Sequence, residues 1–114
     1  MSDCLFCRII QRQLPAAIVA ENAGALAFKD INPQAPVHLL IIPKTHVAKV
    51  SDLSGPTLPI VADLVALANQ LAAQQGLDRD GYRLVINCGP QAGQTVWHLH
   101  LHLLGGRTMQ WPPG

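Results

Sequence analysis

The sequence predicts an α+β fold built on a mainly antiparallel sheet, and three observations predict it. Five short segments carry β-type patterning, at residues 17–21, 25–30, 37–42, 82–87 and 97–103. Two segments carry the three-to-four-residue apolar spacing of helices, one short near the N-terminus and one long over 58–75. The first two strands are separated only by Asn22-Ala23-Gly24, a hairpin-turn composition that pairs them antiparallel. The 114 residues fit one domain, 1–114, with no room for a separate cofactor domain.

In chain order, residues 4–13 place Leu5, Phe6, Ile9 and Ile10 at helical spacing, with Asp3 as N-cap and Pro15 as stop. After the hairpin, Pro33 and Pro36 bracket a loop. The run 37–42, apolar except for His38, then reads as a buried central strand that Pro43 ends. The long helix carries Ile60, Val61, Leu64, Leu67, Ala68 and Leu71 on one face and Asp63, Asn69, Gln70, Gln74 and Gln75 on the other, with Gly76 as its C-terminal cap. Strand 82–87 follows Gly81, a Gly-rich loop spans 89–93, and strand 97–103 leads to a Pro/Gly-rich tail holding Trp111.

Composition narrows the function classes. Asp, Glu, Lys and Arg make up 13% of the chain, about half the usual share, and mean hydropathy is +0.23. Either the chain is simply Ala-rich or one face is buried against a second copy. Eight basic residues against seven acidic ones are scattered rather than clustered, which argues against nucleic-acid binding. There is no run of about 18 apolar residues and no signal-peptide pattern at the N-terminus, so a cytosolic protein without a membrane span is expected. Three cysteines in such a compartment point to metal binding or inert burial rather than disulfides.

The chemistry concentrates at His98-Leu99-His100-Leu101-His102-Leu103-Leu104. Side chains alternate across a strand, so the three histidines share one face and Leu99, Leu101 and Leu103 the other. Two readings stay open on these residues alone. The imidazoles could chelate one catalytic metal, or one could attack phosphorus while another binds the electrophile. Cys4 and Cys7, at the start of a helix, form half of a tetrahedral zinc site that His46 and His98 would complete, or they are buried, inert thiols. The loop at 87–95 lets backbone N–H groups approach an anion, with Gln94 and Thr95 as further donors, or is merely a turn. Asp30 either accepts from sugar hydroxyls or initiates the turn before Asn32-Pro33.

The histidine pattern at 98–104 resembles the histidine-triad (HIT) superfamily of nucleotide hydrolases and transferases. Asp30-Ile31-Asn32-Pro33-Gln34-Ala35-Pro36-Val37-His38, Ile42-Pro43-Lys44-Thr45-His46, Leu104-Gly105-Gly106-Arg107 and the ending Trp111-Pro112-Pro113-Gly114 look like its Hint branch of purine nucleoside phosphoramidases. The resemblance implies a HIT-like fold: a five-stranded antiparallel sheet with one short and one long helix, two protomers forming a ten-stranded sheet. It implies that His100 is the nucleophile, that His102 and Thr95 hold the phosphate with the backbone of Gly93 and Gln94, and that His38 orients the nucleophile. Asp30 would bind ribose, Asn87 would lie beside sugar and phosphate, and Phe6, Ile9, Phe28, Ile31 and Leu40 would form the purine slot. Trp111 would approach the partner protomer's site.

Thr95 departs from the Ser of many Hint proteins, adding a methyl near the leaving group, and the Cys4/Cys7 pair resembles the zinc-binding bacterial form. The implied ligands are Cys4, Cys7, His46 and His98, a structural zinc with no catalytic metal. The expected activity is hydrolysis of an adenosine phosphoramidate through a nucleotidyl-His100 intermediate, releasing AMP and an amine. The alternative is a purine-nucleotide-binding scaffold whose hydrolysis is incidental.

Overall fold

The computed structural model describes residues 3–114. The first helix, α1 (Leu5–Ile10), is shorter than its apolar spacing predicts and is not capped by Asp3. Cys4 is the N-cap, its sulfur accepting from the Cys7 N–H at 3.4 Å. The helix stops well before Pro15, and Arg12 takes a left-handed φ of 62° that turns the chain away.

Next come β1 (Ile18–Glu21) and β2 (Ala25–Lys29), paired antiparallel. Their turn is closed by the Asn22 side chain, whose Oδ1 accepts from the N–H groups of Gly24 and Ala25 at 2.9 and 2.8 Å. Strand β3 (Val37–Pro43) is buried along almost its whole length, as its near-continuous apolar run requires. The helix α2 (Pro59–Gln74) is entered through a turn at Gly55–Thr57 closed by a Ser54/Thr57 capping box. Gly76, at φ +74°, ends it as expected, and a one-turn helix α3 (Leu77–Asp80), not foreseen, follows.

The last strands are β4 (Tyr82–Val85) and β5 (Leu101–Gly105), in a sheet of order β1-β2-β3-β5-β4, antiparallel throughout. Both differ from the sequence expectation for one reason. At 98–100 the partner backbone is diverted: the Leu99 N–H donates to the Val47 carbonyl at 2.7 Å, and the Pro43 carbonyl accepts from the His98 ring at 2.9 Å. The ladder therefore starts at Leu101, and β4, which pairs only with β5, ends at Val85.

Alternation divides the sheet into two faces. Ala25, Ala27, Leu39, Ile41, Leu99, Leu101 and Leu103 pack under Leu64, Leu67, Ala68, Leu71 and Ala72 of α2 and Leu77 of α3. Each fully buried leucine there contributes about 1.5–3 kcal/mol relative to an exposed one. Leu26, Phe28, Leu40 and Ile42 face the other way, under Phe6 and Ile9 of α1, and the histidines lie beside them. The segment Gly55–Gln74 is long and apolar enough to cross a membrane by length and composition, yet one face of α2 is packed on the sheet.

Candidate functional site

Two side-chain constellations lie side by side on the α1 face of the sheet. In the first, the sulfurs of Cys4 and Cys7 meet Nδ1 of His46 and of His98. Cys4 Sγ is 3.3 Å from His98 Nδ1, Cys7 Sγ is 3.4 Å from His46 Nδ1, and the two Nδ1 atoms are 3.1 Å apart. Tetrahedral zinc, with ligands at about 2.0–2.3 Å, has donor-to-donor edges of about 3.3–3.8 Å, close to these separations. Protonation also fits. The Pro43 carbonyl can only accept, so His98 carries its proton on Nε2 and turns a lone pair on Nδ1 to the thiols. His98 is fully buried, which with the nearby His46 and His100 lowers its pKa, opposed by the Pro43 hydrogen bond. The residues present fit zinc.

In the second constellation, backbone groups again set each tautomer. The His100 Nδ1–H donates to the His98 carbonyl at 2.8 Å, which leaves the lone pair on His100 Nε2. The Gln34 N–H donates to His38 Nδ1 at 3.0 Å, so the His38 proton is on Nε2. The Nε2–H donates to His102 Nδ1, 2.9 Å from Nε2, which also lies 3.4 Å from Asp30 Oδ2. His102 is then protonated on Nε2, an atom buried without a hydrogen-bond partner. Burial foremost, then the neighbouring His100 and His38, pushes the His102 pKa down to about 4 against a small opposing pull from Asp30. Burial likewise lowers His38, against the raising influence of Asp30.

Asp30, His38 and His102 also lie close enough to hold a cation. Their protonation argues otherwise: with Nδ1 accepting from a backbone N–H, neutral His38 has no lone pair on Nε2 to offer. Nor do His98, His100 and His102 converge on one point, because their Nδ1 atoms face the thiols, the His98 carbonyl and His38 in turn. The three-histidine metal reading is thereby set aside. His38 contacts His102 and not His100, so any orienting effect on His100 passes through the second ring.

A cavity of about 570 Å³ opens beside this chain of imidazoles. Phe6, Ile9, Phe28, Asp30, Ile31, Leu40, Thr95, His100 and His102 all line it, each expected from sequence. Phe6 stands edge-on to Phe28 and to His100, with ring centroids 5.4 and 5.2 Å away. Asn87, Gly93 and Gln94 do not line it. Gln94 is buried with its amide spent on the loop, donating to the carbonyls of Ala48 and Val96 and accepting from the Gly89 N–H. Its side chain is therefore no free anion donor. Asp30 makes the turn its sequence suggested, Oδ1 accepting from the Asn32 N–H at 2.8 Å, and its carboxylate also lines the cavity. Cys88, half-buried, lines neither centre and sits beside Ser51 Oγ at 3.4 Å.

With this geometry in place, a profile of the HIT domain matches residues 11–109. The chain belongs to the HIT domain family. A HIT family hydrolase from Legionella pneumophila Philadelphia 1 superposes with a TM-score of 0.96 at 52% identity, over 98% of this chain and 100% of that one. The 14 kDa zinc-binding protein of Zea mays is 48% identical over 118 residues, 99% of this chain and 89% of its own length. A histidine triad nucleotide-binding protein from Candida albicans superposes with a TM-score of 0.82 at 33% identity, over 96% of this chain and 83% of that one.

For this HIT chain, sequence reasoning missed Leu5, Leu14, Pro15, Ala16, Lys29 and Val96 in the cavity wall. Leu14, Pro15 and Ala16 follow α1 in a segment without periodicity, and tertiary packing of Leu14 and Ala16 against the Phe6, Phe28 and Leu40 cluster places them there. Gln34, whose backbone sets the His38 tautomer, was equally hidden: a backbone donor leaves no trace in residue type.

Proposed function

We propose that this protein is a nucleoside phosphoramidate hydrolase that works through a covalent nucleotidyl-His100 intermediate. One observation carries the reading: an imidazole lone pair on His100 and an unpartnered N–H on His102 belong to adjacent rings, 5.1 Å between centroids, in the wall of one largely apolar cavity. The described activity of the Legionella relative and the nucleotide binding of the Candida relative support it. Phe6, Ile9, Phe28, Ile31 and Leu40 enclose a purine and Asp30 accepts from the ribose hydroxyls, while Asn87, outside the cavity wall, would have to turn inward to reach the sugar. Thr95, in the same wall, helps hold the phosphate, whereas the Gly93 and Gln94 N–H groups expected to assist it donate instead to the Pro90 and Gly89 carbonyls, both at 3.1 Å.

His100 Nε2 attacks the α-phosphorus in line. A bond forms from Nε2 to phosphorus as the P–N bond of the substrate breaks, and the amine leaves after taking up a proton from solvent, with His100 left as the nucleotidyl imidazolium whose Nδ1–H stays on the His98 carbonyl. His102 Nε2–H donates to a non-bridging oxygen, where charge grows in the transition state. Water then displaces His100 and AMP departs. Such a neutral cradle has no need of a Lys/Arg cluster, in keeping with the scattered charges.

Cys4, Cys7, His46 and His98 would hold zinc in a closed, structural role. When bound, the ion supplies a crosslink between α1 and the segments after β3 and before β5. We place the working unit in the cytosol as a homodimer.

Rapid quench with an adenosine phosphoramidate followed by intact-mass measurement tests the mechanism. The expected result is a one-AMP adduct that is absent from His100→Ala, whose turnover falls by several orders of magnitude. No adduct in the parent protein, or an adduct persisting in the variant, overturns it, and AMP affinity without turnover marks a binding scaffold.

A further inference from the structure

We propose that Arg107 is a positioning residue that fixes which nitrogen of His102 carries its proton. The proposal rests on the phosphoramidase reading for its kinetic consequence, but its structural content stands apart from it. The direction of the whole relay depends on one backbone donor. The Gln34 N–H forces the His38 proton onto Nε2, and that proton occupies His102 Nδ1 and so sends the His102 proton to Nε2 in the cavity wall.

Gln34 lies exposed in the loop between β2 and β3. Its own amide donates to the Asn32 carbonyl at 3.0 Å, a local bond that moves with the loop. Besides the N–H bond to His38, Gln34 is tied to the rest of the fold by Arg107, whose Nε–H donates to the Gln34 carbonyl at 3.0 Å while Nη1 donates to the Thr108 carbonyl at 3.2 Å. The tail is seated closely against the same loop. Gly106 has φ +91°, and a Cβ there would stand 2.9 Å from Pro36 Cβ, so the backbone that carries Arg107 rests directly on the loop.

Without this tie, Gln34 can withdraw its N–H and the opposite arrangement competes. His38 then carries its proton on Nδ1, His102 donates from Nδ1 to His38 Nε2, and a lone pair faces the phosphate where an N–H should be. The apolar slot is untouched, so substrate binding is retained while transition-state stabilisation is lost.

The test compares Arg107→Gln with Arg107→Leu in the full-length zinc-loaded protein. Gln places an N–H the same number of bonds from Cα as Arg Nε, whereas Leu supplies none. Imidazole 15N shifts read the tautomers directly. Parent and Gln variant should show His38 and His102 protonated on Nε2. The Leu variant should show exchange with the Nδ1 forms, with kcat on an adenosine phosphoramidate about tenfold lower and KM little changed. Arg107→Ala serves the same comparison if the Leu variant does not fold. Unchanged tautomers in the variant lacking the donor, equal impairment of the Gln and Leu variants, or a parent His38 protonated on Nδ1 would each overturn the proposal. Absence of phosphoramidate turnover in the parent would instead overturn the functional reading, and the 15N series would still decide the role of Arg107.

Discussion

Burial makes the charged form of His102 so costly that its pKa falls to about 4, against about 6.5 for an exposed imidazole. The sign of the consequence follows from linkage. Between these values the unfolded chain binds a proton that the folded one does not, so this group's contribution to stability is complete above pH 6.5 and is lost as pH falls toward 4. His38 is shifted in the same direction and adds to the loss. The His102 ring signals should accordingly stay constant from pH 8 to 5 in NMR titrations, and a midpoint near 6.5 would contradict the buried, neutral ring. A neutral His102 is also what the relay requires, since protonation of Nδ1 would break its bond from His38.

At the level of the elements, α1 serves both centres. Its first turn offers Cys4 and Cys7 to the imidazoles of His46 and His98, and its inner face sets Phe6 and Ile9 in the cavity wall. Chelating the metal should therefore lower the melting temperature and raise KM as that wall loosens, while kcat stays within a few-fold because His100 and His102 are held by backbone groups and β5. Thermal melting and steady-state kinetics with and without chelator check this, and loss of kcat alone would point to a catalytic ion. A second prediction concerns the seat of α3. A Cβ on Gly105 would stand 2.5 Å from Leu77 Cδ1, so Gly105→Ala should destabilise the fold by about 1–3 kcal/mol in chemical denaturation.

Much of this level was legible beforehand. The five strands, the long helix with its Gly76 stop, the Cys-x-x-Cys and the two-residue histidine period all lie in local pattern. What stayed hidden depends on register and on backbone groups. His38 meets His102 only because His38 pairs with Leu104, two residues along β5 on the same face. The strand ends at 85 and 101 likewise follow from the diverted carbonyls of Pro43 and Val47.

For the molecule as a whole, the small share of charged residues needs a physical account. Strand β4 lies at the edge of the sheet, and its four residues are only half-buried. Beside it a cleft of about 800 Å³ is lined by apolar Leu77, Leu84 and Met109 together with Tyr82 and the basic Arg83 and Arg107. Trp111 is 83% exposed in the isolated chain. An open edge strand with unpaired backbone groups is a site for pairing with another chain unless something covers it. A second copy meeting β4 edge to edge would cover these groups and extend the sheet to ten strands. A stable interface needs about 1,200 Å² or more in total, within reach of one edge strand, the cleft and the tail. Sedimentation velocity should thus report a species of twice the chain's 12.3 kDa at micromolar concentration, with a melting temperature that rises with protein concentration. A single 12.3 kDa species with a concentration-independent melt would leave the open edge unexplained by self-association. Substituting Trp111 with Ala should separate the two parts of the surface: if β4 pairing dominates, the dimer persists and substrate preference shifts, whereas dissociation would assign the main contact to the tail.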